Sequence, residues 1–247
     1  MSNRIAGVLN RRLSAALLTK PLAIRLERPI VSFTFDDAPQ SAASVGAGLL
    51  ESVGACGTFY VAGGLCGGDE EGTPILSEAD IVRLHQSGHE IACHTYSHRR
   101  VSGLSSAGFK SEIDRNQAFF SSLCGDVRLS NFSYPFGDVS PGRKLQVESV
   151  FATGRGITPG VNSGWADLGL LKAVSLYAEH RDDRAVDTYL ERAGREKGWL
   201  IFYTHDVDPD PSPWGATVDQ MKSVVEAVRR LGYEVLTVRN AVGRLAR

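Results

Sequence analysis

Cysteine is sparse and unpaired in this sequence: Cys56, Cys66, Cys93 and Cys124 are scattered over 247 residues with no C-x-x-C among them. That spacing argues against a cysteine-rich structural zinc site. Because the N-terminus also lacks the long apolar core of a secretory signal, reduced thiols in a cytoplasmic protein are expected. Long hydrophobic runs are missing too, and none approaches the roughly 20 apolar residues that cross a bilayer. Charge of one sign is absent, since 27 basic and 28 acidic residues are interspersed for a net −1. Without a long-range field, nucleic acid is not indicated as a partner, and a small or uncharged ligand is expected. There is no repeat, low-complexity tract or interdomain linker. Length and hydrophobic content allow one large domain or two small ones with a substantial core, and without a linker a single domain is expected.

Residues 1–28 differ from the rest. Arg4, Arg11, Arg12, Lys20, Arg25 and Arg28 face one acid, Glu27, while Ile5, Val8, Leu9, Leu13, Ala16 and Leu17 recur at helical spacing. That pattern predicts a basic amphipathic helix. Two placements are open to it: on an anionic membrane surface, or packed across the domain with its basic face in water. The second is expected.

Residues 29–247 alternate apolar runs with helical stretches. "IVSFTF" (30–35), "GTFYVA" (57–62), "HEIAC" (89–93), "LSNFSYP" (129–135), "KAVSLY" (172–177), "WLIFYT" (199–204) and "YEVLTV" (233–238) read as strands. Ser77 is placed to cap a helix that Gly88 ends, and Thr217 with Gln220 to form a capping box on a helix that Gly232 follows. Strand, helix, strand implies parallel pairing, hence an α/β barrel of about seven strands or a doubly wound sheet.

Functional groups in such folds gather where strands end. "HEIACH" is not the H-E-x-x-H zinc motif, because residues five apart diverge by about 140° on a helix. His94 and His98, four apart, diverge by only about 40° and can address one ion. Alone they are weak evidence. "FTFDDAP" (33–39) adds two adjacent carboxylates, Asp36 and Asp37, at the end of another apolar run. Like charges there repel unless the chain turns or a cation joins them, and a cation shared with the histidines accounts for both pairs.

"TFDDAP", "HTYSH", "FSYPFG" and "YTHD", in this order, resemble the successive motifs of the polysaccharide deacetylases, the NodB-homology or carbohydrate esterase family 4 enzymes. The resemblance implies a distorted (β/α) barrel that removes acetyl groups from N- or O-acetylated sugars with a divalent metal. It further implies Asp37, His94 and His98 as metal ligands, Asp36 as catalytic base, His205 as catalytic acid and the Phe136 backbone N–H as oxyanion donor. Tyr134 and Pro135 of the same motif are expected beside the substrate. Zn²⁺ is the default ion, with Co²⁺ or Ni²⁺ also suited to the ligands.

The sequence departs from the family where many members carry arginine beside the base: Ser133 stands there, and Phe136 stands at the usual tyrosine. Arg155 in "ATGRGITPG" is a candidate replacement, against the alternative of a solvated loop arginine. Ala38 replaces a usual glycine. Trp214, in the Pro-rich loop after His205, and Trp165 offer flat surfaces for a sugar, while Trp199 reads as core. Beside deacetylation of a saccharide, two other functions are compatible: hydrolysis of a non-sugar or cyclic amide, and non-catalytic carbohydrate binding.

Overall fold

The apolar runs become the strands of one curled sheet. A computed structural model describes residues 2–70, 72–180 and 183–246. The chain starts with helix α1 (Ser2–Ala16), strand β1 (Pro21–Ile24) and strand β2 (Ile30–Asp36). A wide helical turn then leads into α2 (Ala47–Glu51), β3 (Thr58–Val61) and a minimal hairpin, β4 (Asp69–Glu70) and β5 (Thr73–Pro74). Next come α3 (Glu78–Gln86), β6 (Glu90–Cys93), α4 (Ser106–Leu123), β7 (Asn131–Ser133), α5 (Pro141–Val150) and β8 (Thr153–Arg155). The remainder is β9 (Gly164–Asp167), β10 (Val174–Ser175), α6 (Asp183–Glu196), β11 (Trp199–Thr204), α7 (Val218–Arg230), β12 (Glu234–Val235) and α8 (Val238–Leu245).

The main sheet runs β10-β11-β2-β3-β6-β7-β8, with β12 joined to the start of β2, and its ladders are parallel. Every residue of β2, β3, β6 and β11 is buried, as expected of parallel strands covered on both faces. Phe35 stacks on Phe59 at 4.6 Å and Phe33 on Phe202 at 5.7 Å in the core. One irregular segment closes the curl: Leu171 bridges to Arg155 of β8, and three residues later Val174 pairs with Phe202 of β11. This is the distorted barrel the motifs implied.

Ser77 and Asp80 form a complete capping box on α3. The box expected on α7 is only half made. Thr217 accepts the Gln220 N–H, but Gln220 Oε1 is buried without a partner, because the longer amide does not fold back as the Asp80 carboxylate does.

The N-terminal helix forms, but it docks by the opposite face from the one expected. Gly7, Asn10, Arg11 and Ser14 are its half-buried or buried stripe, while Val8, Leu9, Leu13, Ala16 and Leu17 are exposed. Polar anchoring decides this. The ammonium of Lys144 on α5 is buried and donates to the carbonyls of Ser14, at 2.9 Å, and Leu17 while pairing with Asp167. Asp167 in turn accepts the N–H groups of Thr19 and Lys20, and β1 adds antiparallel to β9. A buried ammonium needs these acceptors more than the leucines need cover.

Candidate active site

The carboxylates at the end of β2 are separated by a turn. Asp37 (φ 59°) and Ala38 (φ 57°) are both left-handed, and the Ala38 N–H donates to the Asp36 carbonyl at 2.5 Å. Neighbouring side chains therefore reach different partners. The glycine usual in the family would adopt this conformation at Ala38 without the Cβ penalty.

Asp37 meets two histidines that follow β6. Its Oδ1 lies 3.2 Å from Nε2 of His94 and 3.0 Å from Nε2 of His98. Thr95 (φ 62°) and His98 (φ 46°) are left-handed, so a non-helical turn, rather than helical spacing, brings the two imidazoles together. His94 Nδ1 faces the Ser133 carbonyl at 2.9 Å and His98 Nδ1 faces the Glu70 carboxylate at 2.8 Å. Those acceptors place the proton on Nδ1 and leave the Nε2 lone pairs facing Asp37. Asp37 Oδ1 itself is buried with no donor aligned on it. Three acceptor atoms within 4.8 Å of one another, each held from behind or orphaned, fit a divalent cation. Burial pushes the Asp37 carboxyl up, but a hydrogen bond from His205, the largest of the opposing influences, helps hold the group well below the usual range.

Asp36 is held from the other side. The fully buried guanidinium of Arg155 contacts both Asp36 carboxylate oxygens and Ser133 Oγ, and donates to the Gly156 carbonyl at 3.0 Å. Ser133 and Arg155 are direct partners in the β7–β8 ladder. The cation missing at Ser133 is thus supplied across one rung of the sheet, where the small serine leaves room for it. Burial disfavours the Arg155 charge, yet Asp36 outweighs that and raises its pKa.

His205 follows β11. Its Nδ1 faces the Trp214 carbonyl at 3.2 Å and its Nε2 lies 3.4 Å from Asp37 Oδ2. Burial lowers its pKa, but Asp37 and then Asp36 overcome this and raise it above the ordinary histidine value. Asp206 accepts from Ser212 N–H at 2.8 Å and from Ser212 Oγ, so its role is to staple the loop that carries Trp214.

Asp36, Asp37, His94, His98 and His205 line one cavity of about 520 Å³, together with Glu70, Arg100, Phe136, Tyr177, Tyr203 and Trp214. Phe136 stacks on His98 at 4.4 Å and lies under the Arg100 guanidinium at 4.5 Å. Trp214, half-exposed, stands edge-on to Tyr177 at 5.7 Å. Tyr134 and Pro135 do not belong to the lining. Tyr134 is buried with its hydroxyl donating to the Gly169 carbonyl at 2.9 Å, and Pro135 is buried beneath the Phe136 turn, so both support the motif from behind. Trp165 lies outside the cavity on β9, and Trp199 is core, its indole N–H donating to Ser32 Oγ. His89 is apart from the cluster, between the Gly57 N–H and Glu51. Glu70, Arg100 and Tyr177 escaped sequence reasoning. Nothing local marks them, and only the hairpin, the turn after His98 and the barrel-closing segment bring them here.

Comparison with known proteins bears on the fold and the family. The chain is 22% identical over 209 residues to a bifunctional xylanase/deacetylase of Pseudobutyrivibrio xylanivorans, covering 85% of this chain and 30% of that protein. It spans less than half the length of the curated relatives it matches. A family 4 carbohydrate esterase from Bacillus anthracis superposes with a TM-score of 0.64 at 13% identity, covering 95% of this chain and 92% of that one. A family 4 acetyl xylan esterase from Clostridium thermocellum, solved with a cobalt ion, superposes with a TM-score of 0.60 at 21% identity, covering 85% of this chain and 89% of that one. The polysaccharide deacetylase profile matches residues 23–150, just over half of the sequence and the half that carries Asp36 and the cluster of Asp37, His94 and His98. On that match the chain belongs to the polysaccharide deacetylase family.

Proposed function

We propose that this chain is a metal-dependent hydrolase that removes acetyl groups from an N-acetylated saccharide. The observation that carries this reading is the convergence of Asp37, His94 and His98 beside a second carboxylate, Asp36, pinned by Arg155. Asp37 and the Nε2 atoms of the two histidines would hold the ion, with Zn²⁺ the first choice and Co²⁺ or Ni²⁺ suited to the same donors. When bound, the ion supplies Lewis acidity, which polarises the acetyl carbonyl and acidifies a water.

The protein groups supply the proton transfers. Asp36, oriented by Arg155, takes a proton from the attacking water as its oxygen bonds to the acetyl carbon. The Phe136 N–H stabilises the negative charge that develops on the carbonyl oxygen. His205, held by the Trp214 carbonyl, gives a proton to the departing nitrogen, without which an amide anion would have to leave. Trp214 and Tyr177 at the cavity provide flat surfaces on which a sugar ring stacks.

Release of free acetate from N-acetylated chito-oligosaccharides by metal-loaded protein tests the reading. Release that depends on both the metal and Asp36 is expected. Binding of the oligosaccharide with no acetate released would instead favour a carbohydrate-binding protein, and release only from O-acetylated xylan would move the substrate to esters.

A further inference from the structure

We propose that the N-terminal helix docks this protein onto an anionic membrane surface through its outward apolar face. Val8, Leu9, Leu13, Leu17 and Leu18 are each between 47% and 56% exposed. Single exposed leucines are ordinary, but a contiguous group is not. The elements that hold the helix carry exposed apolar side chains of their own. On α5, against which α1 packs, Leu145 and Val150 are 54% and 59% exposed, and on β9, which pairs with β1, Trp165 is 68% exposed. Eight of the eleven exposed large apolar side chains among the described residues thus belong to the N-terminal segment and its two supports.

The face is not a domain surface waiting to close. The helix is already docked by its opposite stripe, through Ser14 and the carbonyls that Lys144 holds. Turning the leucines inward would strip a buried ammonium of its acceptors. What covers the leucines must therefore come from outside the fold.

Charge selects the occupant. Residues 1–28 carry six basic side chains and one acid, in a chain whose overall charge is −1. Arg12, Arg25 and Arg28 are exposed, and the acid, Glu27, stands next to Arg28. Arg12 lies one helical turn from Val8, Leu9 and Ala16, so a second copy apposed on this face would bring like charges together. An anionic lipid surface instead neutralises them while its acyl boundary takes up the leucines, the pairing that holds interfacial helices. Tryptophan suits the same boundary, with an apolar body and one polar N–H. No helix among the described residues is long and apolar enough to cross a membrane, so the contact is with the surface.

None of these residues lines the catalytic cavity, and the inference stands apart from the deacetylase reading. The test is co-sedimentation of the full chain with vesicles of phosphatidylcholine and phosphatidylglycerol in about a 3:1 ratio at low salt. Binding is expected, with little to pure phosphatidylcholine vesicles. The triple variant Leu9→Ser, Leu13→Ser, Leu17→Ser should lower the partition coefficient by about a hundredfold. Arg12→Gln, Arg25→Gln, Arg28→Gln should lower it by about a hundredfold as well, an effect that salt erases in the wild type. These substitutions are on exposed side chains, and an unchanged thermal transition separates lost binding from lost fold; Leu13→Ser alone serves as the milder variant. Wild-type protein left in the supernatant, or equal binding by the leucine variant, would overturn the proposal. So would a dimer in solution that the leucine variant abolishes, which would give the face to a second copy.

Discussion

Asp36 and Asp37 are neighbours in the chain with separate partners, and their side chains divide the proposed chemistry. Asp37 faces three imidazoles and Asp36 faces one guanidinium. Asp36→Asn keeps the shape and loses the basicity. Acetate release should then slow by about 10²–10⁴-fold, the range for removing a general base, while bound metal is unchanged. Arg155→Met is a different lesion, because it leaves Asp36 as a buried carboxylate without its cation. A loss of about 3–5 kcal/mol is expected in denaturant unfolding, and combining it with Asp36→Asn should recover most of that loss. A double variant no more stable than Arg155→Met would show that the pair is not coupled. For His205, burial lowers the pKa while Asp37 and Asp36 raise it, so its carboxylate neighbours favour the protonated, proton-donating form. The kcat/KM profile should be bell-shaped, with an alkaline limb that His205→Ala removes.

Between strands and helices, the short connecting turns set the geometry. Phe136 and Gly137 are successive left-handed residues, and this turn puts the Phe136 ring on His98. A Cβ at Gly137 would also come within 2.4 Å of Ile157, another cavity residue. Gly137→Ala should therefore cost about 2 kcal/mol or more in unfolding experiments, from backbone strain and overpacking together, and should lower turnover. Unchanged stability and kinetics would mean that the turn tolerates movement and does not fix Phe136. Such turns explain what was legible in the sequence. His94, His98, Asp36 and Asp37 announced themselves because each pair is local and follows an apolar run. Arg155 was only half legible, since its link to Ser133 is a ladder pairing, not a spacing. Glu70, 28 residues from His98, carries no local signal at all.

For the whole molecule, the seven apolar runs and the alternation of strands with helices pointed to a parallel sheet, because such a sheet buried on both faces writes its strands as near-continuous apolar runs, and the family motifs narrowed barrel or doubly wound sheet to the barrel. Closure of that barrel by the segment from Leu171 to Ser175 was not legible, as it depends on pairing with β8 at one end and β11 at the other. The amphipathic period of the N-terminal helix was plain, yet which face docks was decided by Lys144 and Asp167, far along the chain. The barrel brings β2, β6 and β11 together so that Asp37, His94, His98 and His205 share one cavity. The most direct test is elemental analysis of purified protein loaded with Zn²⁺ or Co²⁺ and then desalted. One ion per chain is expected in the wild type, His89→Ala and Asp36→Asn, and a sharp loss in His98→Ala. Full metal content in His98→Ala, or metal lost from Asp36→Asn but kept by Asp37→Asn, would contradict the assignment of this centre.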